Sequence, residues 1–191
     1  MSHFFALISR MKYINRWALM RNTRAENLSE HAQDVAVIAH ALAVIGNRRF
    51  GKNYNPERAA TLGLYHDACE ILTGDMPTPV KYYNPEIKNA YKQVEGAAKN
   101  KILSSLPDDL KGDYESVLKY QANELAALIK ASDKIAAYIK CIEEGKSGNG
   151  EFGKAAEAIL NSIKEMNLPE ANCFIEEFIP SFSLTLDELE L

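Results

Sequence analysis

Apolar residues recur at helical spacing along almost the whole chain, and this pattern limits the fold more than any other feature of the sequence. The segment 123–144 shows it most clearly and ends before Gly145, a typical helix stop. The periodic positions are Leu125, Leu128, Ile129, Ser132, Ile135, Ala136 and Ile139. Alternating apolar and polar runs, which are typical of strands, are nearly absent. The sequence therefore predicts an all-α protein.

Helix start and stop signals divide the chain into predicted helices. Asparagine supplies most of the starts, since Asn27 with Glu30 is typical of a capping box and two Asn-Pro pairs combine an N-cap with a proline at the first helical position. The predicted helices are 4–11, 27–45, 55–74, 84–107, 110–118, 123–144, 151–166 and 170–179. A further capping box is predicted at Thr185 and Glu188. The sequence SGNG at 147–150 is predicted to form a linker.

Composition and charge narrow the class of protein. A chain of 191 residues with 47% hydrophobic residues is long enough for one sizeable core. The formal net charge of −4 argues against extended binding of a nucleic-acid polymer. Cys69, Cys141 and Cys173 form no CxxC pair, which favours a reducing compartment. Because no segment reaches the roughly 20 apolar residues of a membrane span, we expect a cytoplasmic protein that does not enter a membrane.

The dipeptide His66-Asp67 offers an imidazole nitrogen and a carboxylate oxygen at one point of the chain. Mixed donors of this kind suit a catalytic transition metal better than a closed structural zinc site. The candidate partners are His31, in the first turn of its predicted helix, and Asp133, within an apolar helix. Burial of an aspartate there is costly unless the side chain is paired or binds a metal. The spacing alone leaves a hydrogen-bonded structural role and a metal-ligand role both open.

Glu70 is the candidate for proton transfer. On an unbroken helix it lies at i+4 from His66 and i+3 from Asp67, so the three side chains share one face. A metal ion acidifies a bound water, and a nearby carboxylate accepts or delivers its proton. This combination is the minimum that hydrolysis requires, and it indicates chemistry at a phosphate.

His31, His66-Asp67 and Asp133 together match the H…HD…D signature, and longer phrases extend the match. These phrases are SHFFALISRMKYINRWALMRN, ENLSEH, YHDACEILTGDMPTPVKYYN, KASDKIAAYIKCIEE and FIPSFSLTLDEL. Over nearly its whole length the chain resembles the bacterial HD-domain 5′-deoxynucleotidases, within the HD superfamily of metal-dependent phosphohydrolases. The resemblance implies a single-domain HD-type helical bundle over 1–191, which assembles as a homodimer. Its HD core would cover about 28–145, and a C-terminal helical extension would cover about 151–191.

The resemblance also implies an activity and a set of site residues. The implied enzyme is a metal-dependent phosphomonoesterase that acts on deoxyribonucleoside 5′-monophosphates, prefers deoxyribose to ribose and shows little preference among bases. The implied metal ligands are His31, His66, Asp67 and Asp133. The implied catalytic residues are Glu70 and Arg16. The implied substrate contacts are Arg16, Trp17, Asp67, Asp75, Met76, Pro77, Thr78 and Asp133.

The chemistry of these residue types agrees with the implied roles. Arg16 offers a planar, bidentate donor for a phosphate, which a lysine would not reproduce. Trp17 beside it would form a rigid wall that excludes a ribose hydroxyl by steric clash. The stretch Met76–Thr78 is stiff, because each proline restricts itself and the residue before it. Taken alone, these residues also fit a solvated loop cation, a core tryptophan and a plain connector between helices.

One divalent transition metal ion per subunit is the implied cofactor. Mixed histidine and carboxylate sites accept several ions, so Co, Mn and Cu all fit, and Zn, Fe and Ni are compatible with the same donors. The sequence leaves two alternative functions open. One is another HD phosphohydrolase, which would cleave a nucleoside triphosphate, a cyclic nucleotide or a pyrophosphate bond. The other is a non-catalytic nucleotide-binding protein.

Overall fold

The computed structural model describes residues 1–81, 83–120 and 124–189. Within these ranges the chain forms ten α-helices and no β-strand, which confirms the predicted all-α class. The helices are α1 (Phe4–Ile8), α2 (Leu28–Arg49), α3 (Pro56–Tyr65), α4 (Glu70–Thr73), α5 (Thr78–Lys81), α6 (Pro85–Leu103), α7 (Asp108–Leu118), α8 (Ala126–Lys146), α9 (Gly153–Glu165) and α10 (Pro169–Glu177). Short 3₁₀ turns are Ser9–Tyr13, Gly150–Phe152, Ile179–Ser183 and Asp187–Leu189. In the described part of the chain, no helix combines the length and the apolar character that crossing a membrane requires.

Helix α2 begins with the predicted capping box. The Asn27 side chain accepts hydrogen bonds from the backbone N–H groups of Ser29 and Glu30, and the Glu30 side chain accepts one from the Asn27 backbone. The helix runs past the predicted end at residue 45 to Arg49. Gly46 packs against the ring of Tyr54, where an added Cβ would lie 3.0 Å from a ring carbon. This glycine therefore serves helix packing and not helix termination.

The core joins α2, α3 and α8 to the C-terminal helices. Ile163 of α9 and Phe174 of α10 belong to the same buried cluster as Leu42 of α2 and Ile135 of α8. Gly63 allows α3 to approach α2 closely, because a Cβ there would lie 2.7 Å from the Ala36 Cα. This contact holds the carboxyl end of α3 against the first turns of α2. The division of the chain into an HD core and a C-terminal extension stays a prediction.

The helix predicted at 55–74 is broken, so that prediction was wrong in its second half. Helix α3 ends at Tyr65, residues 66–69 form turns, and the short α4 follows. The His66 Nδ1 lies 2.8 Å from the carbonyl oxygen of Gly63. In a continuous α-helix that oxygen would accept the backbone N–H of residue 67, so the imidazole competes with the helix. Glu70 therefore does not share one α-helical face with His66 and Asp67.

Other helix boundaries also differ from the predicted ones. Helix α6 ends at Leu103 instead of near 107, and Pro107 becomes the N-cap of α7. Helix α8 continues through residue 145 to Lys146, while residue 123, its predicted start, lies outside the described ranges. The SGNG segment is an ordered turn, because the Asn149 amide donates to the Glu144 side chain at 2.8 Å.

Candidate metal centre

The structure brings together the four side chains of the H…HD…D signature. His31 comes from α2, His66 and Asp67 from the turn after α3, and Asp133 from α8, and one donor atom of each lies within 4.8 Å of the other three. His31 Nε2 is 3.0 Å from Asp133 Oδ1 and 3.8 Å from Asp67 Oδ2. His66 Nε2 is 2.9 Å from Asp67 Oδ2 and 3.9 Å from Asp133 Oδ1.

The spacing and the donor set fit a divalent metal ion. Metal–ligand bonds of about 2.1 Å separate neighbouring ligand atoms by roughly 3 to 4 Å in a tetrahedral site, and the four nitrogen–oxygen distances lie in or near that range. Because a carbonyl oxygen only accepts, His66 Nδ1 must donate to Gly63, which leaves the lone pair of the neutral ring on Nε2. Among the described residues, this buried Nε2 makes no hydrogen bond. His66 is therefore oriented as a metal-ligating histidine is.

The protonation of the cluster reflects its opposite charges. Burial opposes charge on His66, but Asp67 and Asp133 outweigh burial and raise the pKa of the ring. Burial would raise the pKa of the Asp67 carboxyl, but neighbouring imidazole and guanidinium groups hold it well below its usual range. Burial would also raise the pKa of the Asp133 carboxyl, but the neighbouring His31 outweighs burial and lowers this pKa. Two anionic carboxylates thus stand beside two imidazoles, a suitable donor set for a cation.

Arg16 reaches this cluster from the segment before α2. Its Nη1 lies 3.5 Å from Asp67 Oδ2, and its Nε donates to Glu26 Oε2 at 2.9 Å. Burial alone would lower the pKa of the guanidinium, but four neighbouring carboxylates outweigh burial and raise it. They belong to Asp133, Asp67, Glu26 and Asp75. The guanidinium is therefore a permanent cation at the edge of the candidate metal centre.

Trp17 adopts a backbone conformation that is uncommon for a large side chain. Its φ is +59°, in the left-handed region. The indole Nε1 donates to Glu26 Oε2 at 2.9 Å, and the ring packs on Phe152 with centroids 5.2 Å apart. The Trp17 backbone also favours the charged form of the Asp75 carboxyl, and so opposes the rise in its pKa that burial causes. Several contacts thus hold a half-buried aromatic ring next to Arg16.

Sequence reasoning missed Glu26, which binds both Arg16 and Trp17. Neither helical periodicity nor motif spacing relates positions 16 and 26. The only signal in the sequence is an acidic residue directly before the Asn27 cap, and that position is common for solvent-exposed charges. An isolated bridge between Asn15 and Asn27 brings the two segments together.

Glu70 is buried close to the candidate ligands although the helix is broken. Its exposure is 5%, and within the described ranges its Oε2 has no hydrogen-bond partner. Burial, with added repulsion from Asp67 and Asp75, raises the pKa of Glu70 to about 9. Burial also raises the pKa of Asp75, against the opposing effect of Arg16. Glu70 can therefore carry a proton near neutral pH.

The remaining predicted substrate contacts lie between α4 and α5. Met76 and Pro77 are half-buried in the non-helical link, and Thr78 is the exposed first residue of α5. Their contact with a nucleotide stays a prediction, as do the roles of the other site residues.

Comparisons with known proteins identify the family to which this chain belongs. A model of the "5′-deoxynucleotidase YfbR-like" family matches residues 3–182. A curated 5′-deoxynucleotidase of Yersinia pseudotuberculosis is 50% identical over 193 residues, covering 100% of this chain and 98% of the relative. The predicted enzyme class is confirmed by this match.

Solved structures show the same fold. An HD-domain phosphohydrolase from Listeria innocua matches with a TM-score of 0.83 at 22% identity, covering 98% of this chain and 92% of that one. A cyanophage S-2L HD phosphohydrolase, solved with dA and one catalytic Zn²⁺, matches with a TM-score of 0.67 at 20% identity, covering 92% and 96%. With the family match and the full-length relative, these findings show that the chain belongs to the YfbR-like 5′-deoxynucleotidase family.

Proposed function

We propose that this enzyme hydrolyses deoxyribonucleoside 5′-monophosphates to a deoxyribonucleoside and inorganic phosphate. The observation that carries the proposal is the 3.5 Å distance between Arg16 Nη1 and Asp67 Oδ2. The guanidinium of Arg16 and the four candidate ligands thus meet at one point, where a phosphate monoester could contact both. Family membership supports the same reaction.

Each group of side chains has a separate role in the proposed reaction. His31, His66, Asp67 and Asp133 would hold a divalent ion, which would polarise the phosphate and acidify a water when bound. Arg16 orients the phosphate and balances its equatorial charge through paired N–H groups. Glu70, whose pKa is raised to about 9 by burial and nearby carboxylates, delivers its proton to the departing 5′ oxygen. Asp75 and the link Met76–Thr78 contact the nucleotide.

Trp17 sets the sugar preference in this proposal. The half-buried indole follows Arg16 in the chain and packs edge to face against Phe152, so a sugar attached to the bound phosphate would meet its ring. A 2′-hydroxyl would clash with this wall, whereas a base need not be read. The proposal includes the cytoplasmic location and the homodimer expected from the sequence, and Co, Mn or Cu as the working ion.

Phosphate release tests the proposal directly. The purified protein is incubated with deoxy and ribo monophosphates of all bases, with Co²⁺, Mn²⁺ or Cu²⁺ and, separately, with EDTA. We expect metal-dependent release of phosphate from the deoxy substrates, faster than from the ribo substrates. Equal rates on the two sugars would contradict the selectivity. Release of pyrophosphate from a triphosphate, without hydrolysis of monophosphates, would favour the alternative HD phosphohydrolase.

A further inference from the structure

A single carboxylate oxygen holds the two side chains that the proposed function assigns to phosphate and sugar. Glu26 Oε2 accepts a hydrogen bond from Arg16 Nε at 2.9 Å and another from Trp17 Nε1 at 2.9 Å. Glu26 is buried, with 8% exposure, so water does not readily replace either bond. Because both bonds end on one atom, the guanidinium and the indole cannot move apart unless one bond breaks.

Main-chain hydrogen bonds fix the backbone that carries the Glu26 side chain. Arg16 N–H donates to the Glu26 carbonyl at 2.9 Å, and Leu28 N–H donates to the Ile14 carbonyl at 2.9 Å. The bridge between residues 15 and 27 lies between these two bonds. The register between 14–16 and 26–28 is therefore set by main-chain hydrogen bonds. Glu26 is held in place independently of the side chains that it binds.

The backbone conformation of Trp17 indicates that its contacts, including the bond to Glu26, oppose the usual preference of a bulky residue for negative φ. A positive φ, here +59°, costs a bulky residue of the order of 1 kcal/mol or more, and such strain persists only where the surroundings impose it. The bond to Glu26 and the packing on Phe152 are the side-chain contacts that impose it.

We propose that Glu26 is a positioning residue that couples the phosphate-binding arginine to the sugar-facing tryptophan, so that selection of deoxyribose depends on this carboxylate. The inference rests on the proposed function. A phosphate takes the Nη groups of Arg16 and leaves Nε bonded to Glu26. The distance from the phosphate to the indole is then fixed, and a 2′-hydroxyl finds room only if the bond from Trp17 to Glu26 breaks.

The charge of Glu26 contributes as well as its shape. Arg16 lies between two carboxylates, with Nε on Glu26 and Nη1 at 3.5 Å from Asp67. Loss of the charge on Glu26 leaves the guanidinium more strongly attracted to Asp67, a candidate metal ligand. A glutamine keeps the shape and the acceptor oxygen but not this balance. The Glu26→Gln variant should therefore loosen the coupling while it preserves the fold.

A pair of matched variants tests the proposal. Glu151→Gln is the control for Glu26→Gln. Glu151 Oε2 also accepts a hydrogen bond from an arginine of the segment before α2, Arg21 Nε at 2.8 Å, but the Arg21 side chain is 93% exposed. Values of kcat and KM are measured with deoxyadenosine and adenosine 5′-monophosphates on the metal-loaded enzyme. We expect the deoxy-to-ribo ratio of kcat/KM to fall about tenfold in Glu26→Gln and to stay unchanged in Glu151→Gln. Equal losses on both substrates would overturn the proposal.

Fluorescence gives a second readout that needs no turnover, because Trp17 is the only tryptophan of the chain. Inorganic phosphate is titrated in EDTA, and we expect it to change the emission of the wild type and of Glu151→Gln but not of Glu26→Gln. No change in the wild type, or an equal change in Glu26→Gln, overturns the coupling. Absence of phosphate release from every nucleotide would instead contradict the proposed function.

A third variant removes the other partner of the bond. Trp17→Phe keeps a flat aromatic ring, but it loses the Nε1 donor together with the five-membered ring of the indole. It should lower the deoxy-to-ribo ratio as Glu26→Gln does, and it keeps the test decisive if Glu26→Gln does not fold. An unchanged ratio in Trp17→Phe would overturn the proposal.

Discussion

Glu70 and Glu144 are both buried carboxylates, but their surroundings differ. Glu144, with 1% exposure, accepts hydrogen bonds from Thr23, Arg24, Asn149 and Lys140. Burial would raise its pKa, but Lys140 and the other donors hold the pKa well below its usual range. Glu70, with 5% exposure, has an Oε2 without a partner among the described residues, and burial raises its pKa to about 9.

The difference separates a structural carboxylate from a chemical one. Donors that satisfy every lone pair make the anion of Glu144 part of the fold, and they tie the segment before α2 to α8. A buried carboxyl that has an oxygen without a donor and lies near other anions keeps a proton that it can exchange. We therefore expect that replacing Glu70 affects turnover and that replacing Glu144 affects stability.

The largest effect is expected for Glu70→Gln. The amide cannot transfer a proton, so we expect kcat to fall by a factor of about 10² to 10⁴. Bound metal, measured by elemental analysis, should stay at the wild-type level, because the four candidate ligands are unchanged. Retained turnover would contradict the catalytic role of Glu70. Loss of the bound metal would mean that Glu70 is needed for metal binding instead of proton transfer.

The second effect is expected for Glu144→Gln. This change leaves Lys140, with 5% exposure, without its ion-pair partner in the interior. Breaking a buried pair from one side costs roughly 3 to 5 kcal/mol, and we expect a loss near the lower end because the amide keeps several hydrogen bonds. Urea unfolding measures it. An equal loss of stability in Glu70→Gln would remove the distinction between the two carboxylates.

The two carboxylates should also give opposite pH dependences of stability in EDTA. The pKa of folded Glu70, about 9, lies above its ordinary 4.5. Its contribution is therefore complete below the ordinary value and is lost as the pH rises toward 9. The lowered pKa of Glu144 has the reverse sign, so its contribution is complete above the ordinary value and is lost in acid.

Urea unfolding of the wild type and both variants, between about pH 5 and pH 8, checks this sign. Relative to the wild type, Glu70→Gln should gain up to about 1 kcal/mol per pH unit as the pH rises. The deficit of Glu144→Gln should stay constant over the same interval. A gain of Glu70→Gln with falling pH would contradict the raised pKa.

Much of the fold followed from the sequence, because helix periodicity and caps are local properties. The capping box at Asn27 and the proline at the first position of α6 are examples. The break after Tyr65 was not predictable in this way, since it depends on an imidazole that bonds to the Gly63 carbonyl. The glycines at 46 and 145 were read as stops, but both helices continue through them.

The candidate site shows the same division. Its donor types were visible in the H…HD…D spacing, and the structure brings those donors together. The bonds from Arg16 and Trp17 to Glu26 were not visible, because they depend on a main-chain bridge between distant positions. The unusual proton affinity of Glu70 also depends on its burial and on the way the broken helix places Asp67 and Asp75 around it. Periodicity predicts faces of helices, but it does not predict which charges meet across them.

The smallest effect is expected for Lys81→Met, which tests what limits the proton affinity of Glu70. Burial and nearby carboxylates raise the pKa of Glu70, and the Lys81 ammonium opposes this rise. Lys81 Nζ also pairs with Glu95 at 2.7 Å. Without the lysine, one cation is lost and the anion of Glu95 is no longer balanced. We expect the pKa of Glu70 to rise by about half a unit. In urea unfolding with EDTA, the loss of stability caused by ionisation of Glu70 should then end at a higher pH.

Lys119→Met is the matched control, because Lys119 Nζ pairs with Glu115 Oε1 at 2.7 Å on the exposed side of α7. Exposed pairs of this kind are screened by water and contribute little, so the transition of Glu70 should not move. The Glu70→Gln background must abolish the shift in Lys81→Met, since the titrating group is then absent. A downward shift, or the same shift in Lys119→Met, would mean that the Lys81 ammonium does not limit the rise in the pKa of Glu70.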